Sequence, residues 1–325
     1  MKKQPIAYLL IIGIALLIPA QAVAQCCTAG NPLSLSPDFQ QSHKSDLRIS
    51  MLYRNSISDT YYDLNKKVDI DYIDQSGFNY LELGIEYGML SWLSLKLEAG
   101  YYLSKYENYS NPDFKDNVAS GLADLNLIAR MDIWQKPSRR LRLSGTTGAK
   151  FPIGVFDLTK DHVKLPVQLQ PSSGSFRYHG GLLLNKTSRN SKISIFVGIH
   201  TELSQWIHSK NFDYKYGTAT SLFAGGGYQI TSRLVVLAQL QTEFRGQSKR
   251  ENNQIVEATG GELLNAIPQI SYRLSDSWNI NLAFSWPLYR HYNSIQLGNK
   301  YSFSVLISHT RNLASPIIDL QNVLE

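Results

Sequence analysis

Cys26 and Cys27 are the two cysteines of the chain and stand side by side in QCCTAGNPL, Gln25–Leu33. Adjacent thiols in an oxidising compartment form a strained vicinal disulfide, a disulfide to a partner chain, or a pair of soft ligands for Cu(I). Zinc wants four ligands, and the flanking residues offer no more. His179 and His200 fall on the polar faces of neighbouring segments with Glu202 close by, a set suited to a buried polar cluster or, less readily, a metal. A barrel-borne hydrolase needs a serine activated by a histidine that a third group orients. His43-Lys44-Ser45 is the sole H-x-S and precedes the first strand, away from the outer leaflet where lipid would be attacked. His208-Ser209 has a spacing that an alternating strand splits between its two faces. No H-E-x-x-H, phosphate-cradling glycine loop or paired-carboxylate motif occurs. No enzyme, cofactor or bound metal is expected.

The ends say where these residues work. Lys2 and Lys3 precede an apolar run from Ala7 to Ile18, and Ala22-Val23-Ala24 is an A-x-A cleavage site. Residues 1–24 therefore read as a secretory signal peptide. Gln25 is a poor substitute for the small residue that lipidation of Cys26 would need. No later apolar run has the length of a transmembrane helix. The formal net charge of +6 falls by two to +4 when Lys2 and Lys3 leave, and no basic tract remains. That balance argues against nucleic-acid binding.

From Ser45 onward the pattern has period two. In Trp92–Ser104, Leu93, Leu95, Leu97, Tyr101 and Leu103 face one way and Ser94, Lys96 and Glu98 the other. In Arg233–Arg245, Leu234, Val236, Ala238, Leu240 and Phe244 oppose Gln239, Gln241, Glu243 and Arg245. Such alternation marks strands with one apolar and one polar face. Segments of this kind lie at 45–58, 77–88, 92–105, 119–133, 140–152, 173–187, 192–207, 214–230, 233–246, 260–274, 278–290 and 299–310. Their connections alternate between short turns and mostly longer polar spans, the latter including 59–76, 153–172 and 291–298. Trp92, Trp134 and Trp278 flank short turns, whereas Trp206, Trp286 and much of the tyrosine lie toward the opposite ends. Two aromatic girdles, an even strand number and turns of unequal length on the two sides predict an all-β fold. It is a transmembrane antiparallel up-and-down β-barrel of about twelve strands in the outer membrane, with both termini in the periplasm. A soluble sandwich or lipocalin-like barrel would bury the apolar face instead. Pro268 and Pro287 each remove a ladder donor and should mark bulges or bends.

If the apolar faces meet lipid, the polar ones line the lumen. The candidates for selectivity are the cations Arg48, Lys96, Arg130, Arg142, Arg177 and Arg245 and the carboxylates Glu82, Glu86, Glu98, Asp124, Glu202 and Glu243, with His179 and His200. Two explanations compete for each: a salt bridge that satisfies a neighbouring strand, or one element of a charged ring along a water-filled path. Neither sign dominates, so the charge of a solute is open. Twelve strands make a bore wider than the eight whose side chains just fill it and narrower than that of the large porins.

SGLADLNLIARMDIW, Ser120–Trp134, resembles the glycine–aspartate strand of the outer-membrane transporters of the MetA-pathway of phenol degradation type, distant relatives of the long-chain fatty-acid channels. GAKFPIG, Gly148–Gly154, is similar to that group's strand ending in Pro-x-Gly, and LQPSSGSF, Leu169–Phe176, to its following Gln-Pro-x-x-Gly-Ser segment. Ala123 stands where the group commonly has a second glycine. The resemblance implies a channel, with hydrophobic or aromatic small molecules among its solutes, and supplies no catalytic residue. The peptide 25–44 has turns at Asn31-Pro32 and Ser36-Pro37 and apolar anchors at Leu33, Leu35 and Phe39. It is about twenty residues long, enough to lie across the barrel mouth. An Asn-Pro hatch also occurs in the fatty-acid channels, and Cys26, Cys27, Asn31 and Pro32 are the plug candidates. The reading is a signal peptide (1–24), a periplasmic plug (25–44), a barrel (45–311) and a periplasmic tail (312–325). Its partners are outer-membrane lipid and a small solute diffusing passively. The alternative is a non-conducting scaffold held by a periplasmic or surface protein through the cysteine peptide and the loops.

Overall fold

The computed structural model describes residues 43–209 and 212–314. The signal peptide, the plug candidates Cys26, Cys27, Asn31 and Pro32, and the tail beyond Ala314 lie outside the described residues. Twelve long strands follow one another: β1 (Asp46–Asp63), β2 (Ile73–Leu90), β3 (Leu93–Tyr109), β4 (Asn117–Lys136), β5 (Leu141–Phe151) and β6 (Arg177–Thr187). After them come β7 (Ile193–Ser204), β8 (Ala219–Gln229), β9 (Leu234–Arg245), β10 (Gly261–Arg273), β11 (Trp278–Tyr292) and β12 (Gln296–Asn312). Each pairs antiparallel with its predecessor, and β12 returns to β1 from Asp46↔Asn312 to Tyr62↔Gln296. The sheet is thus a closed up-and-down barrel, a transmembrane fold of the outer-membrane type. No helix among the described residues is long and apolar enough to cross a membrane; the strands do so.

Closure lets every strand hide one face from water and offer the other to lipid. On β2, Ile85 is 51% exposed and its neighbour Glu86 1%. On β9, Leu240 is 53% exposed and Gln239 4%. The inside-out distribution is that of a membrane barrel, whose interior is polar. Trp92, Trp134 and Trp278 stand exposed beside the short turns, and Trp286 and Tyr289 at the opposite level of β11. Strand lengths are uneven: β4 has 20 residues and β5 has 11.

Strand ends depart from the sequence reading where a neighbour extends the ladder. The expected connection 291–298 contracts to 293–295, because Tyr292 finds a partner in Gly261 and Gln296 in Tyr62. The two prolines behave differently. At Pro287 the partner of β10 slips by one, Leu264 facing Tyr289 and Asn265 facing Pro287, so Leu288 is the extra residue of a bulge. Pro268 makes no such shift: Ala238↔Pro268 is in register, and Ala266↔Trp286 and Gln269↔Ala283 keep one register across it. A missing N–H weakens a ladder without inserting a residue, so of the bulge or bend expected at Pro268 there is no bulge.

Leu240 lies in the middle of β9 on the lipid face. Leu240→Arg should destabilise the barrel by about 2–4 kcal/mol, whereas Leu240→Ala should cost far less. Urea titration of tryptophan fluorescence in lipid vesicles checks this; equal losses for both would place Leu240 away from the hydrocarbon.

Candidate functional site

Alternation aims the charges of β1–β9 inward, and the register decides which of them meet. Near the short turns Glu86 accepts from Ser94 Oγ at 2.6 Å and pairs with Arg48 at 3.5 Å and Arg130 at 3.8 Å. One level up, Lys96 pairs with Glu98 at 2.6 Å, and Glu98 also accepts from Asn126 Nδ2 at 2.7 Å. Tyr80 donates its hydroxyl to the buried Glu82 at 3.0 Å. Glu243 and Arg245, two residues apart on one face of β9, pair with each other.

Arg177 is the hub of the upper lumen. Its Nη2 reaches Asp124 and its Nη1 reaches Glu202, both at 2.6 Å, while Lys150 Nζ meets Glu202 from the other side at 2.6 Å. Arg177↔Lys150 is a cross-strand pair, and Glu202↔His179 brings the carboxylate to the same level. The sequence reading grouped Glu202 with the two histidines; they share a level of the lumen, while the hydrogen bonds of the carboxylate go elsewhere. Glu202 is taken by the two cations, which are stronger partners for a carboxylate than imidazole. His179 Nε2 lies 2.8 Å from Asn126 Oδ1, and His200 Nε2 lies 3.3 Å from His179 Nδ1. No group of three or more metal-ligating side chains occurs among the described residues. Arg142 lines the cavity at the short-turn end of the barrel.

Asp124 owes its position to a bulge in β4. Ala99 faces Leu125 but Tyr101 faces Leu122, so Ala123 and Asp124 together oppose Gly100. The bulge breaks the alternation at Asp124, and its carboxylate holds a loop. Asp124 accepts from Ser172 Oγ at 2.7 Å, from Ser173 N at 3.0 Å and from Ser173 Oγ at 2.5 Å. The β5–β6 connection, residues 152–176, folds into the barrel instead of rising from it. Lys105 Nζ donates to Gln170 O at 2.6 Å, and Tyr216 OH to Ser173 O at 3.0 Å. Leu165 and Leu169 pack against Ala119 of β4. Gln170 stiffens the loop from within: its Nε2 donates to Leu165 O and Leu158 O, and its Oε1 accepts from Leu158 N. Gly154 passes so close to Leu122 that a Cβ would stand 1.8 Å from its carbonyl oxygen. Gly174, at φ +67, turns the chain where any side chain would strike the Phe156 ring.

The loop divides the bore. Above it a cavity of about 200 Å³ opens among Tyr61, Glu107, Tyr214 and Gln296. Directly beneath it about 60 Å³ remains, lined by Tyr80, Glu98, Asn126 and Lys150. At the short-turn end a separate cavity of about 670 Å³ opens. The lumen candidates named above line the interior, mostly as partners of one another. Sequence reasoning missed Lys105, Gln170 and Tyr216, whose function depends on a loop with no strand pattern. The Gln-Pro-Ser-Ser-Gly run was the available signal, since it offers hydroxyls and a turn where a surface loop would carry charge.

Neither a family model nor a curated protein matches the chain. Among solved structures, the COG4313 outer membrane channel from Pseudomonas putida F1 is similar with a TM-score of 0.68 and 13% identity, over 85% of this chain and 99% of that one. The β domain of the Bordetella autotransporter BrkA gives a TM-score of 0.50 at 10% identity, over 82% of this chain and 100% of that one. The TodX monoaromatic hydrocarbon channel gives 0.47 at 9% identity, over 90% and 96%. The likeness is one of fold: the chain shares its closed antiparallel barrel with outer-membrane channel structures.

Proposed function

We propose that this protein is a passive outer-membrane channel for small solutes, with its aperture set by the in-folded loop 152–176. The observation that carries the reading is the loop folded into the bore, whose Val167 and Gln168 line both the cavity above it and the small one beneath it. A barrel that served only as a scaffold has no use for a strapped-in loop between two cavities. The interior wall is built of charged, amide and hydroxyl groups such as Arg48, Ser50, Glu82, Gln239, Gln241, Ser304 and Ser308. Such a lining suits a hydrated solute better than the hydrophobic or aromatic one that the family resemblance implies. The paired charges at mid-height cancel locally, so their main work is to hold strands and loop in place. Diffusion down a gradient needs no energy coupling.

Planar-bilayer conductance tests this. Replacing residues 158–170 by a short glycine–serine linker should raise single-channel conductance at least severalfold over the mature protein. Equal, finite conductance in both would move the aperture elsewhere, and silence in both would return the barrel to the scaffold reading. Arg177→Met should cost about 3–5 kcal/mol of stability in urea, because it strips a cation from Asp124 and Glu202 together. Adding Glu202→Gln to that variant should recover part of the loss; no recovery would mean that Arg177 acts by packing alone.

A further inference from the structure

The charges of the lumen are balanced at mid-height and unbalanced at the periplasmic mouth. The cavity of about 670 Å³ there is lined by Arg140, Arg142, Lys192, Arg233 and Arg273, and no carboxylate is among its lining residues. Each cation comes from a different place in the sequence. Arg140 and Lys192 sit at the ends of the β4–β5 and β6–β7 turns, Arg233 in the β8–β9 turn, Arg142 on β5 and Arg273 at the end of β10. Arg140 is held over the neighbouring turn by donating from Nη1 to Ser188 O at 2.8 Å and Ser191 Oγ at 2.6 Å. Lys192, Arg233 and Arg273 enter no ion pair among the described residues. Between the cations the wall carries amides, among them Asn185, Asn279 and Asn281. Gln269 is 3% exposed, and its Nε2 has no hydrogen-bond partner.

We propose that this mouth is an anion-binding vestibule for small solutes that bear carboxylate, phosphate or sulfonate groups. Positive charge gathered in a concave site between low-dielectric walls focuses its field and concentrates counter-ions. The volume falls in the range that encloses an organic molecule rather than a bare ion. The unmatched amide donor adds a point of recognition for an acceptor oxygen. As a statement about transport, the inference rests on the channel reading above and supplies the charge class that the sequence left open. As a statement about binding, it stands on the vestibule alone.

The test uses the mature protein and a Lys192→Gln/Arg233→Gln/Arg273→Gln variant, all three residues being exposed at the rim, with folding checked by heat-modifiable gel mobility. Fluorescence anisotropy in detergent at low salt follows binding of pyranine, a pyrene trisulfonate. The mature protein should bind it saturably, and the variant on the order of tenfold more weakly. Reversal potentials in a KCl gradient, taken on the variant with 158–170 replaced by a linker, should show anion preference that the three substitutions abolish. Equal pyranine binding by both proteins, or cation preference unmoved by the substitutions, would overturn the proposal. If no form conducts, the channel reading fails by itself and pyranine binding alone decides the vestibule.

Discussion

Everything in this molecule follows from the absence of water in the hydrocarbon. A strand crossing lipid must give every N–H and C=O a partner on a neighbouring strand, and the last strand must therefore find the first. The β1–β12 pairing, which runs from Asp46↔Asn312 to Tyr62↔Gln296 with irregularities only between Ile57 and Thr60, meets that condition. Once the sheet closes, alternation leaves no choice about side chains. Ile49, Met51, Leu83 and Ile85 go to lipid, and Arg48, Ser50, Glu82 and Glu86 go inside. Charges brought inward in this way need partners, and those nearest in register supply them.

The same constraint explains why ion pairs that look like selectivity elements act as fasteners. A buried pair gives little net stability, yet stripping it of one member is costly, so it enforces one arrangement over others. Asp124 and Glu202 are tied through Arg177, and Asp124 carries Ser172 and Ser173 besides. Wall and loop are thus locked by one cluster. Among the described residues the buried apolar clusters inside this barrel are small, of two to four residues each, too few to hold an inserted loop by themselves. The loop is secured instead by Leu165 and Leu169 at one point and by hydrogen bonds elsewhere.

Much of the wall was legible in the sequence. The run Leu93–Leu103 states its two faces residue by residue, and Trp92, Trp134 and Trp278 mark one membrane boundary. Pairing partners were less legible. Glu202 is near His200 in the chain, but its companions Lys150 and Arg177 come from β5 and β6, and their proximity exists only once the register is known. The in-folded loop was hidden for a related reason: Gln170 answers to Lys105, 65 residues away, and neither carries a pattern that announces the other. The basic mouth was hidden most completely. Arg140, Lys192 and Arg233 each read as an ordinary turn residue until closure sets the turns around one opening.

The uneven heights of the strands have a consequence for how the molecule moves. β1 to β4 run for 17 to 20 residues, whereas β5 to β8 stop at 11 or 12. A barrel strand needs about 9–11 residues to span the hydrocarbon, so the extra residues of the tall strands extend beyond it, where water competes for every ladder bond. Within the lipid, opening a rung exposes polar groups to oil; above it, the same rung opens onto solvent at little cost. Amide protons should therefore exchange along a steep vertical gradient in one wall of the barrel, fast near Asp63 and Tyr109 and nearly frozen at Ile85 and Leu97. The breathing part of the protein is the rim of this wall, to which the loop held by Asp124 of β4 is attached.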